Sequence, residues 1–192
     1  MLTLGPEAAV AQLRDALALG IERAVLLETD GREWDPSATA GAIVEAVAES
    51  GYDLLLFGNE AADTCDYQVG IRVAHALGLP CVTGVKSIEI RDETLVAGRE
   101  GPRGWELFEL ALPAVLTVKE GINLPRYPSV PGRLRAKKQP IERIAPSWPG
   151  SGLSKHRLRL PVEQEKHAEI LGRGAEAAPE VARVLEELGV VQ

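Results

Sequence analysis

The chain has 192 residues, 45% of them hydrophobic, enough for one α/β domain with its own core and an extended arm. Its formal net charge of −7 argues against a nucleic-acid partner, which would call for a basic surface. No apolar run reaches the about 20 residues of a membrane span, Met1-Leu2-Thr3-Leu4-Gly5-Pro6 lacks the regions of a secretory signal, and Cys65 and Cys81 are too few for a disulfide framework, so a cytoplasmic protein without membrane insertion is expected.

Gly5-Pro6-Glu7 opens a helix, with proline in the first turn and an acid beside the positive helix end. Val10, Leu13, Ala16 and Leu17 share one face, and Gly20 ends it. Ala24-Val25-Leu26-Leu27 has strand character. The unit then returns. Asp35 or Ser37 caps a second helix whose inner face carries Ala40, Ile43, Val44 and Val47, and Gly51 stops it. Asp53-Leu54-Leu55-Leu56-Phe57-Gly58 follows without polar alternation. Such a strand belongs in the middle of a parallel sheet covered by helices.

A third unit starts at Gly58 with a loop of small and polar residues to about Asp66. Its helix carries Val69, Val73, Ala76 and Leu77, ends at Gly78, and leads into the strand Pro80–Val85. Alternation of helix and strand with short turns predicts right-handed crossovers and a doubly wound, mostly parallel sheet of Rossmann-like kind. From Ser87 to Leu112 the pattern changes to strand, turn, strand, strand, a small antiparallel extension, before Pro113–Val118 restores a buried strand.

Beyond Lys119 the chain becomes irregular, with Pro125, Pro128 and Pro131, followed by the basic stretch Arg133–Lys138. Pro146, Pro149, Gly150 and Gly152 mark a linker. The expected division is an α/β nucleotide-binding domain over 1–145 and a C-terminal arm and helix over 146–192. Ser154 to Ala175 has no readable pattern, and Pro179 to Leu188 forms the last helix, with Val181, Val184, Leu185 and Leu188 on one face.

The loop from Gly58 to Gly70 leaves the carboxyl end of a buried strand and enters a helix, where ligands of open α/β sheets sit and free N–H groups suit a phosphate. An ordinary strand–helix loop would look the same. The order of its residues is more specific. It resembles the adenine-nucleotide loop of electron-transfer flavoprotein β subunits, G-x-Q-A-x-D followed by Q-[TV]-G, at Gly58, Ala61, Asp63, Gln68, Val69 and Gly70. A second stretch, Asn123-Leu124-Pro125-Arg126-Tyr127-Pro128-Ser129-Val130-Pro131 to Ala136-Lys137-Lys138-Gln139-Pro140-Ile141, is similar to the family's N-x-P-R-Y-x-x-L-P loop and the short helix ending A-K-K. The resemblance covers about Leu2 to Ile144.

It implies an adenine-nucleotide α-hydrolase-like fold and an electron carrier without catalytic residues. Gly58, Ala61, Asp63, Gln68, Val69 and Gly70 would cradle AMP, and an α subunit would share FAD with this chain. Electrons would pass from an acyl-CoA-type dehydrogenase to a quinone-linked reductase. Tyr127, Val130 and Pro131 would form the docking loop, with Val130 as its apolar anchor and Arg135, Lys137 and Lys138 as its basic flank. An apolar tip fills a pocket while charges steer an acidic partner.

The chain departs from the family in three places. Glu60 replaces a glutamine, Thr64-Cys65-Asp66-Tyr67 replaces small or acidic residues, and the family's first strand, loop and helix have no counterpart before Leu2. A truncated product or a shortened relative is the expectation, with a gap or exposed edge in the sheet that another strand or a neighbouring chain must close. The rival reading is a stand-alone adenine-nucleotide-binding regulatory domain of universal-stress kind, a homo-oligomer if no α subunit is present.

The remaining candidates have plain readings. His75 lies mid-helix without a metal-ligand partner at ligand spacing, and His156 and His167 read as surface positions. Cys81 reads as a small core hydrophobe, and Cys65 as a loop thiol near a helix start. Trp105, Trp148 and Phe108 read as core or arm anchors.

Overall fold

The computed structural model describes residues 1–62, 64–150, 152–154, 156–160 and 170–191. It separates into two units, Met1–Ser154 and Lys155–Gln192.

In the first unit the chain runs through β1 (Leu2–Gly5), a 3-10 turn, α1 (Val10–Ala18), β2 (Val25–Glu28), α2 (Pro36–Val47), β3 (Leu54–Gly58), α3 (Val69–Leu77) and β4 (Cys81–Val85). It continues through β5 (Ser87–Arg91), β6 (Thr94–Gly101), β7 (Gly104–Ala111), β8 (Ala114–Val118), α4 (Val130–Lys138) and β9 (Glu142–Ile144). The class is mixed α/β, with parallel strands covered by helices. The strands do not form one continuous sheet. Two parallel three-stranded sheets, ordered β1-β2-β9 and β3-β8-β4, stand beside an antiparallel β5-β6-β7.

The alternation along β2 explains the layering. Leu26 joins Leu13 and Leu17 of α1 and Ala136 of α4, while Val25 and Leu27 join Ala40 and Ile43 of α2. Helices therefore cover both faces of the first sheet. The second sheet is covered differently. Val73 of α3 takes one face, in the same cluster as Phe57 and Leu55, and Leu95 and Ala97 of the antiparallel sheet meet Val82, Val85 and Leu116. The α2–α3 layer spans both parallel sheets, because Leu2 and Leu4 of β1 and Leu55 and Phe57 of β3 all pack against its cluster.

Between β1 and β3 the sheet is interrupted. Among the described residues nothing pairs with the outer edge of either strand. The expected interior strand is thus an edge strand. Leu56 of β3 is 55% exposed and Leu54, Leu55 and Phe57 are only half-buried. An apolar run without alternation marks an interior strand only where both edges are paired, and β3 pairs only with β8 among the described residues. Among the described residues one side is open.

Residues 146–154 belong to the first unit. The Asp35 carboxylate caps α2 by accepting the N–H of Ala38 at 2.7 Å. Its other oxygen accepts the N–H groups of Gly152 at 2.8 Å and Leu153 at 3.2 Å. The Arg32 guanidinium lies 4.8 Å from the Trp148 ring centre, a cation–π contact. The linker residues Pro149 and Gly150 thus sit in a segment tied back to the start of α2. In the second unit, α5 (Ala178–Glu187) forms over nearly the expected span, and Arg183 pairs with Glu180 and Glu187 along it.

Candidate functional site

The loop after β3 and the first turn of α3 line one end of a cavity of about 920 Å³. Gly58 ends β3. Ala61, Gln68, Val69 and Gly70 also line the cavity. Asp63 lies outside the described residues, as does His167. Five of the six expected cradle residues are therefore brought together around one opening.

Gly70 has a packing reason of its own. A Cβ at Gly70 would lie 2.8 Å from Cγ2 of Thr117 and 3.2 Å from Phe57. Only glycine lets the first turn of α3 approach β3 and β8 this closely. Gln68, just before α3, accepts from Arg72 Nε at 3.1 Å and Nη2 at 2.9 Å. The amides of Val69 and Gly70 belong to the group at a helix start that has no intrahelical acceptor. Cys65 and Tyr67 hold φ angles of 51° and 55°, the left-handed region that side chains seldom adopt. Two such residues around Asp66 give this loop a fixed, strained path. Tyr67 is half exposed at the rim.

A polar knot joins the three strand ends. Thr117 of β8 donates to Asn59 Oδ1 at 2.8 Å and accepts the Gly84 N–H at 3.1 Å. Neither Asn59 nor Thr117 was among the expected site residues. The signal was present in the sequence, since Thr117 is the one polar residue of Ala114–Val118. Asn59 and Gly84 also line a smaller depression of about 280 Å³ with Arg99 and Lys119.

The residues of the expected docking loop lie on another face. Val130 is the first residue of α4 rather than the tip of a loop, and its side chain is 72% exposed. Tyr127 is almost fully exposed, and Pro131, Arg135, Lys137 and Lys138 are exposed. Ser129 caps α4 by accepting the Gly132 N–H at 3.1 Å. The inner face of α4 is made of Gly132 and Ala136. A Cβ on Gly132 would come 2.5 Å from the Ala18 carbonyl oxygen, so α4 lies directly on the end of α1. Arg14 of α1 donates to the carbonyls of Ala136 and Gln139 at the other end of α4. The basic and apolar residues are left outward by this clamp.

The other candidates fall into place. Cys81 is partly buried, and burial pushes its thiol pKa up. Cys65 is exposed. Trp105 is 58% exposed and so is not a core anchor, because β7 is the outer strand of its sheet, while Trp148 anchors on Arg32. Among the described residues no group of His, Cys, Asp or Glu is placed to hold a metal ion, and no helix is long and apolar enough to cross a membrane.

A family model described as Electron transfer flavoprotein domain matches residues 1–148. Electron transfer flavoprotein subunit beta of Bacillus subtilis (strain 168) is 37% identical over 145 residues, 74% of this chain and 56% of that protein. Electron transfer flavoprotein subunit beta of Syntrophomonas wolfei subsp. wolfei is 34% identical over 181 residues, 94% of this chain and 69% of that protein. The caffeyl-CoA reductase-Etf complex subunit CarD of Acetobacterium woodii is 38% identical over 145 residues, 73% of this chain and 55% of that protein. The chain thus spans between about half and about two thirds of the length of these relatives. With a matched domain over three quarters of its length and this run of relatives, the chain belongs to the electron transfer flavoprotein family, on its subunit beta side.

Proposed function

We propose that the chain is a non-catalytic electron-carrier subunit that holds an adenine nucleotide at the β3–α3 loop. The observation that carries this reading is the convergence of Gly58, Ala61, Gln68, Val69 and Gly70 on the mouth of one cavity in a chain of this family. The residues fit an adenosine monophosphate. Apolar wall from Leu56 and Phe57 suits a base, and the amides at the start of α3 suit a phosphate. Asp63, by its place in the motif, is assigned to the same cradle. The fold is read as adenine-nucleotide α-hydrolase-like, in one nucleotide-binding domain followed by an arm.

The larger α subunit is assigned the other half of an FAD site. FAD, when bound, accepts and passes on the electrons, and the chain's own residues position and tune it. The outer antiparallel sheet offers apolar surface for a subunit contact, with Trp105 and Leu107 on one face of β7, both more than half exposed. Electrons enter from an acyl-CoA-type dehydrogenase docked on Tyr127, Val130 and Pro131 and steered by Arg135, Lys137 and Lys138, and leave to a quinone-linked reductase. The area such encounters bury is small and the contact short-lived. The site of action is the cytoplasm. The rival reading, a stand-alone regulatory domain, is disfavoured by the family match, and nothing in its function calls for an apolar tip beside a basic helix.

The test is to denature the purified chain, alone and co-expressed with an α subunit, and identify the nucleotides released. AMP from the chain alone, with FAD appearing only alongside the partner, is the expected result. ATP, or no nucleotide together with no partner binding, overturns the reading.

A further inference from the structure

Three parallel strands end around the smaller depression, which is distinct from the nucleotide cavity. Asn59 follows β3, Gly84 lies near the end of β4, and Lys119 follows β8. All three line the hollow, so it opens at the carboxyl edge of the sheet, where α/β sheets take their ligands. Its backbone is fixed. The Asn59 N–H donates to the Val118 carbonyl at 3.0 Å, and the Lys119 N–H to the Val85 carbonyl at 2.9 Å. A bulge makes the room. Val82 pairs with Leu116 and Val85 with Val118, so Thr83 and Gly84 together face Thr117. Bulges are rare between parallel strands and cluster beside functional sites, because they re-aim a side chain. Gly84 has a φ of 70° and forms the floor. A Cβ there would lie 3.8 Å from Asn59 Oδ1 and 3.9 Å from Lys119 Cε, so a larger side chain would fill the space between them.

The side chains around this floor are short of acceptors. The Thr117 hydroxyl accepts the Gly84 N–H and gives its own proton to Asn59 Oδ1, which fixes the Asn59 amide and leaves its NH2 group without an acceptor among the described residues. Arg99 spends only Nε on Glu106, at 2.7 Å, and its guanidinium lies 4.9 Å from the Phe108 ring centre. It is thereby held in place with its terminal nitrogens unspent. Glu100 is the one acid of the lining among the described residues, and it already accepts Lys86 Nζ at 2.7 Å. Lys119 has no carboxylate partner among the described residues. Thr83 and Tyr67 add hydroxyls to the wall. The volume of about 280 Å³ equals the share of about nine waters in the liquid, room for a hydrated anion. The donors come from three directions, the β3–α3 loop, β6 and the end of β8, which suits a tetrahedral anion better than a planar carboxylate.

We propose that this hollow is a phosphate site, separate from the nucleotide cavity, in which Lys119, Arg99 and the Asn59 amide hold the anion. Lys119 supplies a point charge and Arg99 a planar pair of donors, the two ways in which side chains take phosphoryl oxygens. Asn59 and Tyr67 stand in the walls of both cavities. A bound anion therefore ties the β3–α3 loop to β6 and to the end of β8. Inorganic phosphate and the phosphate of a small monoester share this chemistry.

The test is calorimetric titration of the full chain with sodium phosphate and, separately, with glycerol 3-phosphate, at constant ionic strength so that general screening does not change. Saturable binding of at least one of them is expected, with a Kd of about 1 mM or below, and a melting point that rises with its concentration. Binding of either source supports the site, and the tighter of the two names its ligand. Lys119 is exposed, so Lys119→Met keeps the circular dichroism and melting point of the parent without phosphate, and should bind at least about tenfold more weakly. Lys119→Arg keeps the charge and should retain binding. Arg103→Gln removes an exposed cation on the β6–β7 turn and should leave the affinity unchanged. Three results overturn the proposal: no saturable binding of either anion, equal loss in Lys119→Met and Arg103→Gln, or displacement of the anion by AMP, which would put it in the nucleotide cavity. The titration needs neither nucleotide nor flavin, so a chain that binds phosphate but releases no AMP fails only the electron-carrier reading.

Discussion

The hydroxyl of Thr117 donates to Asn59 at 2.8 Å while accepting the Gly84 N–H at 3.1 Å. These two residues tie the ends of β3, β4 and β8 together at the rim of the cavity. Thr117 is 3% exposed, so the bonds are shielded from water. Thr117→Val keeps the shape and removes the hydroxyl, leaving the Gly84 donor without its acceptor. The expected cost is about 1–3 kcal/mol, read as a lower urea midpoint at constant slope. Thr117→Ser retains the bonds and loses a methyl group. If the valine variant is as stable as the serine variant, the knot is idle.

Gly70→Ala sets two effects against each other. Alanine is favoured over glycine by at most about 1 kcal/mol in a helix, less in the first turn where Gly70 sits. Against that, the new Cβ would stand 2.8 Å from Thr117 Cγ2 and 3.2 Å from Phe57, and overpacking of this kind costs about 1–3 kcal/mol. The clash wins, because Phe57 and Thr117 sit on two strands that cannot both retreat. Chemical denaturation is expected to find Gly70→Ala less stable than the parent. Adding Thr117→Ser removes the nearest atom, so the pair should recover part of the loss. Full additivity of the two losses contradicts the contact.

Much of this architecture is legible in the residues, and what is not has a physical reason. The faces of α2 and α3 follow from Ile43, Val47, Val69 and Val73 at helical spacing, and Asp35 is an α2 cap as its position before Pro36 predicts. β1 and β9 carry no such signal. Leu2-Thr3-Leu4-Gly5 is too short to show a period, and Glu142-Arg143-Ile144 is mostly charged. Both become strands because β2 offers them an edge, and because Arg143 pairs with Glu7 and Glu28. The loop Gly58–Gly70 was readable as a candidate site from its motif, yet the Asn59–Thr117 bond that shapes its rim joins residues 58 apart in sequence. Local pattern contains no information about that pairing.

Asp35 links pH to the attachment of residues 148–153. The Ala38 N–H, helped by those of Gly152 and Leu153, holds its carboxyl below the ordinary value of 3.8 against a smaller opposing effect of burial. The folded pKa is lowered, so this contribution to stability is fully present above about 4 and is lost as pH falls through the lowered value. The Trp148 fluorescence should therefore shift toward that of a solvated indole only in acid, below the usual carboxylate range. Asp35→Ala removes the cap and should produce the same shift at neutral pH, with a loss of about 1 kcal/mol in stability. An unchanged spectrum in Asp35→Ala would mean that Arg32 alone holds the tryptophan.

Val130, the tip of the proposed docking face, and Arg14, its support, should respond differently to mutation. Val130 is 72% exposed, so Val130→Asp should leave stability within about 0.5 kcal/mol of the parent, while electron transfer from a docked dehydrogenase falls. Arg14 acts differently. Its guanidinium bonds the last carbonyls of α4, and hydrogen bonds to a charged group are worth about 1.5–3 kcal/mol. Arg14→Met should loosen the turn that carries Lys137 and Lys138 and lower stability by about that amount, with part of the transfer lost as well. The salt dependence distinguishes the two. Lys137→Glu with Lys138→Glu should flatten the fall of the encounter rate with ionic strength, since steering charges act through the on-rate, whereas Val130→Asp should lower the rate at every salt concentration. A Val130→Asp protein that transfers electrons at the parent rate from every dehydrogenase tried would remove α4 from the docking surface altogether.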